Sequence, residues 1–255
     1  MRSSPLQAFT LVEVLVSCSV MMVLLIILAG ATSNFSNLII LSNTRLETGK
    51  QARAVFDRLN FDLNSAINHG GVSLKFLKNQ KLLGPATTTL NDAIVLLASA
   101  KSTSADSRMA KIGYEVNEQT NASKGFVEET LTRCVEPFLW TDSTSALAIS
   151  NAAARQTLAP GVFRLELAFL KKDGTIVAAA PPSDEIKAVI CAVAVLNEDV
   201  LARLKDSERK TLADSLPDAV DGSAPLAQWN LANLGSMPSG VVQNVRFHQR
   251  FFYLK

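Results

Sequence analysis

Glu13 is the residue least expected where it stands. It follows Ala8-Phe9-Thr10-Leu11-Val12, and no charged side chain comes after it through residues 14–44. A carboxylate at the mouth of an apolar segment costs several kcal/mol in hydrocarbon unless it is paired, so Glu13 is read as half of an ion pair. Other reactive groups are sparse. His69 and His248 are the only histidines, and Cys18, Cys134 and Cys191 stand singly with no C-x-x-C spacing, so no zinc ligand set is expected. No G-x-S-x-G, H-E-x-x-H, phosphate-binding loop or dinucleotide fingerprint occurs; the expectation is no enzyme and no cofactor. Asp184-Glu185 and the pair Asp218 and Asp221 offer oxygen ligands for calcium, but without the regular spacing of a calcium loop, and they read as solvated acidic turns. Cys134 and Cys191 are available to pair if the chain is exported, and the sequence leaves that pairing open. Trp140 and Trp229 read as packing residues, with exposed recognition anchors as the alternative.

These residues need elements to position them. Residues 14–31, VLVSCSVMMVLLIILAGA, make about 27 Å of helix, close to the thickness of bilayer hydrocarbon. Arg2 is the one basic side chain ahead of this run, which favours the N-terminus inside and the rest of the chain across the membrane. Ala29-Gly30-Ala31 also fits the small-residue cleavage site of an ordinary secretory signal, which keeps a soluble exported domain as an alternative. Further on, Ala52, Val55, Phe56, Leu59, Leu63 and Ile67 recur at helical spacing, with Arg53, Asp57, Arg58 and Asp62 between them. That predicts an amphipathic helix, ended by Gly70-Gly71. A local weakening is expected at Gly30.

Beyond Gly71 the period changes. Residues 93–97, 111–116, 162–170 and 186–196 read as strands, the third with Val and Leu inward and Arg164 and Glu166 outward, followed by a turn at Lys172-Asp173-Gly174-Thr175. Asn197 offers an N-cap to a helix over about 198–213, and residues 241–254 contain an aromatic-rich strand. The expected class is α+β: a long N-terminal helix, transmembrane in its first half and amphipathic in its second, packed on a mainly antiparallel β-sheet head. The 255 residues suit one domain plus an anchor, and a net charge of +2 with 19% charged residues gives no nucleic-acid footprint.

The stretch AFTLVEVLV resembles the prepilin-type cleavage and methylation motif: a small residue, then F-T-L-x-E, then an apolar helix. The resemblance implies a pilin-like fold divided into a leader at 1–8, a pilin helix at 9–69 and a periplasmic head at 70–255. It implies that a prepilin peptidase cuts between Ala8 and Phe9, that the new amine of Phe9 is N-methylated, and that Phe9 and Glu13 form the assembly ion pair between neighbours. Ala8 stands where the family most often has Gly. More narrowly, the order of Phe56-Asp57-Arg58-Leu59, the strand at 94–97, the pair 111–116 with Leu131-Thr132-Arg133, and Leu158-Ala159-Pro160-Gly161 resembles J-type minor pseudopilins of type II secretion. The helix after Asn197 and the C-terminal strand look more like the Verru_Chthon cassette proteins of the C type. Implied partners are the peptidase, other pilin or pseudopilin subunits (I- and K-type) and an inner-membrane assembly platform. The implied location is the bacterial inner membrane, single-pass with the head in the periplasm, and then the fibre. A fibre-borne binding subunit for adhesion or DNA uptake is the second reading.

Overall fold

The computed structural model describes residues 11–67, 74–82, 91–99, 109–121, 126–138, 147–149, 155–235 and 237–254. The chain divides into two compact units, Met1–Thr44 and Arg45–Lys255. Helix α1 covers Leu11–Asn64 and so contributes to both.

The first unit is the apolar length of α1. Its described large side chains, Leu11, Met22, Leu24 and Ile26 among them, are exposed. The helix passes Ala29-Gly30-Ala31 without interruption, so the weakening expected at Gly30 does not break it. Ser17 and Thr32 donate to the carbonyls of Glu13 and Leu28 one turn back, and Ser19 donates to Val16. The hydroxyls are thereby satisfied within the segment, as hydrocarbon surroundings require.

The second unit holds two antiparallel sheets. The larger has strands in the order β1 (Leu74–Leu77), β2 (Ala93–Ser99), β3 (Met109–Asn121), β4 (Phe126–Pro137) and β5 (Arg155–Pro160). The smaller has the order β7 (Ile176–Val177), β6 (Val162–Lys171), β8 (Ile186–Val195) and β9 (Arg246–Tyr253). Ala52, Val55, Phe56, Leu59 and Leu63 of α1 join Ile94, Leu96 and Ile112 of the larger sheet and Leu165, Leu167, Val189 and Val193 of the smaller in one core. Alternate residues of β2 turn the other way, where Ala93, Val95 and Leu97 meet Leu82, Phe138, Leu147 and Ile149. Covered on both faces, β2 reads as an unbroken apolar run rather than an alternating one.

The C-terminal segments cover the outer face of the smaller sheet. Phe163, Ala192 and Ala194 lie under Leu201, Leu212, Leu216, Trp229 and Val241. Asn197 caps α2 (Glu198–Leu201) by accepting from the Asp199 amide, as the sequence predicts. The single helix expected over about 198–213 is two: α2, and α3 (Asp206–Asp214). Leu201, Leu204 and Leu212 nevertheless share one buried cluster over the smaller sheet, the common face that their spacing predicts. Short helices α4 (Pro225–Trp229) and α5 (Ser239–Val242) follow, and the aromatic-rich strand expected within residues 241–254 is β9. Helix α1 ends at Asn64, earlier than expected, because Ala66 bridges to Ala98 and the Ile67 amide donates to Leu97. Gly70-Gly71 lie outside the described residues.

Candidate functional site

The apolar segment and the head are two candidate surfaces, each described in its own unit. In the first, Leu11–Thr32 is long and apolar enough to cross a membrane, the property of a membrane anchor or a signal sequence. Glu13 sits in the first turn of α1, where a carboxylate also complements the positive end of the helix dipole. Ala8 and Phe9, the expected cleavage and methylation positions, lie outside the described residues. Cys18 is exposed on the same segment.

In the second, the amphipathic length of α1 is fixed to the larger sheet by a buried polar clamp. Asp62 accepts two hydrogen bonds from Arg133, Nε at 2.7 Å and Nη2 at 3.1 Å, and a short one from the Tyr114 hydroxyl. Arg58, one turn back on α1, approaches the same carboxylate at 3.5 Å. Burial and the Asp62 charge push the Tyr114 hydroxyl far up, so it stays a donor at every physiological pH. The sequence places Asp62 between apolar positions as a solvent-facing charge; the structure buries it at 1% exposure. The reason is that β3 and β4 present an arginine and a tyrosine opposite it, at the register Tyr114↔Arg133.

A second cluster lies on the outer face of the smaller sheet. Arg164 and Glu166, expected outward, are indeed turned away from the main core, and they are wholly buried beneath the loop that carries Asp218. Lys78 bonds both Asp92, at 3.1 Å, and Glu166. Glu166 also accepts from the Ala219 amide, and Arg164 Nη2 bridges Glu166 at 3.1 Å and Asp218 at 2.5 Å. Asp92 accepts from the amides of Asn79 and Leu167, while the Asn91 side chain accepts from the Leu165 amide. These bonds stitch the start of β2 to β6 and so join the two sheets. Burial, then the Asp92 charge, raise the Glu166 carboxyl to about 7. Lys78 moves up as well, because its two carboxylate partners outweigh its own desolvation. The opposite preferences have one cause: Glu166 is fully buried and bears the desolvation, whereas Lys78 keeps a third of its side chain in water.

Three of the four acidic residues read as oxygen ligands for calcium are otherwise engaged. Asp218 holds Arg164 and Asn79, Asp221 accepts from the Ala178 amide, and Glu185 pairs with Lys171. Among the described residues no group of three His, Cys, Asp or Glu side chains is placed to hold a metal. Cys134 and Cys191 are both free and buried. Cys134 packs with Val95 and Phe138 on the far face of the larger sheet, and Cys191 lies in the main core between the sheets, so the two point into different layers. Trp229 is buried, its indole N–H donating to the Pro217 carbonyl at 2.9 Å; Trp140 and His69 lie outside the described residues.

Sequence reasoning missed both buried clusters. For the second cluster the available signal was Arg164 with Glu166 inside the apolar run of β6; Arg133 lies in the polar strand β4 and gave none. Compared with known proteins, the chain matches no family model and no curated protein. Its architecture, an N-terminal apolar helix followed by antiparallel sheets, is consistent with a pilin-like fold.

Proposed function

We propose that this chain is a minor pilin or pseudopilin, a structural subunit of a type IV pilus-like or type II secretion fibre, placed at or near its tip. The observation that carries the reading is the composition of α1. One helix supplies a predominantly apolar, exposed 22-residue segment with a carboxylate in its first turn and an amphipathic length buried in a β-sheet head. An exposed apolar surface of that extent needs either lipid or other apolar helices around it. A fibre subunit uses both in turn, lipid before assembly and neighbouring helices after it.

In this reading a prepilin peptidase cuts after Ala8, and the amine of Phe9 is methylated. The new cation lies four residues, one helical turn, before Glu13. The amine of one subunit neutralises Glu13 of the next as the helices bundle, and a contact of that heterologous kind, repeated without closing into a ring, makes a filament. The head then presents contacts to other pilin or pseudopilin subunits, while the inner-membrane platform drives assembly. No enzymatic role is proposed.

Mass spectrometry of the intact protein from its native membrane tests the processing, and a Glu13→Ala variant tests the assembly. The expected result is a mature chain beginning at methylated Phe9, with the variant processed normally but absent from sheared fibres. A chain beginning at Thr32 would instead identify residues 29–31 as a signal-peptidase site and overturn the reading.

A further inference from the structure

The last strand leaves one edge of the smaller sheet open. In the order β7-β6-β8-β9, strand β9 is outermost. The Leu254 amide donates to the Lys187 carbonyl, and the antiparallel register pairs Val189 with Phe252 and Cys191 with Arg250. Alternation therefore directs the N–H and C=O groups of Phe247, Gln249, Phe251 and Tyr253 away from β8. Among the described residues no backbone group pairs with them. An open edge of this length is usually blunted by Lys, Pro, a bulge or a covering element. Strand β9, RFHQRFFY, contains neither Lys nor Pro, and it exposes Phe251 and Tyr253.

Two further features accompany that edge. The face of β9 that looks toward α1 is basic. Among the described residues Arg246 has no carboxylate within ion-pair distance, and it lies near Arg45 of α1, whose charge opposes its own; Arg250 pairs with Asp57 at 2.8 Å. At the end of the strand is a groove of about 390 Å³, where Leu63, Phe252 and Leu254 stand beside Asn60, Lys172 and Asp184. Free backbone groups give affinity to an added strand, and a side-chain pocket beside them gives selectivity.

We propose that the β9 edge receives an extended acidic segment of a partner polypeptide, adding a strand to the smaller sheet. Its carboxylates face Arg246, His248 and Arg250, and one apolar side chain enters the groove at Leu63 and Phe252. The inference concerns the head alone and does not rest on the assembly role proposed for the apolar helix.

Fluorescence anisotropy with the full chain in non-ionic detergent tests it. The probe is a fluorescein-labelled octapeptide, Val-Leu-Val-Glu-Val-Glu-Val-Leu, which sets Leu and Glu on one face and brings a Leu to the groove in either strand direction; the control has Lys for each Glu. The acidic peptide is expected to bind saturably in the micromolar range, and the Lys peptide at least tenfold more weakly. Phe251→Pro removes one outward N–H and should weaken binding at least tenfold, whereas Phe251→Ala keeps that donor and should stay within about threefold of wild type. Arg246→Glu should reverse the preference between the two peptides. If the proline variant fails to fold, peptides N-methylated at every Val or at every Glu ask the same question of the ligand. Only one of the two should lose binding, the Val form for antiparallel and the Glu form for parallel addition. Equal binding of acidic and basic peptides, or retained binding by both N-methylated forms, would overturn the proposal. So would self-association that Phe251→Pro abolishes in a chain that binds neither peptide, because the edge would then belong to a second copy.

Discussion

At the residue scale, the head is organised by two buried carboxylates that the backbone alone could not place. Asp62 ties α1 to β3 and β4 through Arg133 and Tyr114. Removing one partner of a buried pair strands the other charge, so Asp62→Ala is expected to destabilise the head by about 3 kcal/mol, read by urea denaturation. Asp62→Asn, which keeps one acceptor, should cost less. Glu166 answers to pH. Its carboxyl is raised from 4.5 in the unfolded chain to about 7 in the fold, so between those values the folded state holds a proton that the unfolded state has released. The stability this provides is complete below about pH 4.5 and is lost as pH rises through 7. Comparing wild type with Glu166→Gln at pH 5 and pH 8 should show a steeper decline in the wild type, by at most about 3 kcal/mol. The thiols give a further check. Cys134 is pushed up to about 11 by burial and by the Glu115 charge, and Cys191 is pushed up by burial in the core, whereas Cys18 is exposed. A thiol reagent added to the native protein should leave Cys134 and Cys191 unlabelled until the head is unfolded.

At the element scale, the joints between strands are as constrained as the strands. Gly161 separates β5 from β6 at φ +80°, and a Cβ there would overlap the Leu196 carbonyl oxygen. The Leu196 amide donates to Gly161 O at 2.8 Å, so this corner locks β6 to the end of β8. Gly161→Ala therefore meets both a left-handed backbone and a steric overlap, and should cost at least about 2 kcal/mol, visible as a lowered melting temperature. Gly174 shows the contrast. It also has positive φ, +89°, but nothing surrounds its missing Cβ, so Gly174→Asn is expected to be nearly neutral.

At the scale of the whole molecule, α1 joins two lengths of different character in one helix. Its apolar length has no core of its own, whereas residues Arg45–Lys255 form a unit containing the main core, the two sheets and the C-terminal cover. A chain beginning at Arg45 should therefore fold in water without detergent and unfold in one cooperative transition. Calorimetry and gel filtration check this. Aggregation, or a non-cooperative melt, would mean that the apolar length contributes to head stability.

Much of this was legible in the sequence, because periodicity reports burial directly. The apolar segment, the face of α1 bearing Val55, Phe56 and Leu59, strands β2, β3, β6 and β8, and the Asn197 cap all follow from local pattern and composition. So does the awkward position of Glu13, which needs no tertiary partner to be recognised. Local pattern could not show that Asp62, Arg164 and Glu166 are buried, because a charge between apolar residues has the same spacing whether water or another layer covers it. Only the register Tyr114↔Arg133 and the loop that brings Asp218 and Ala219 over β6 decided that. The fate of Cys134 and Cys191, left open by spacing, was likewise decided by which face of which sheet each residue occupies. The open edge of β9 follows from strand order, which depends on pairings between residues far apart in the chain.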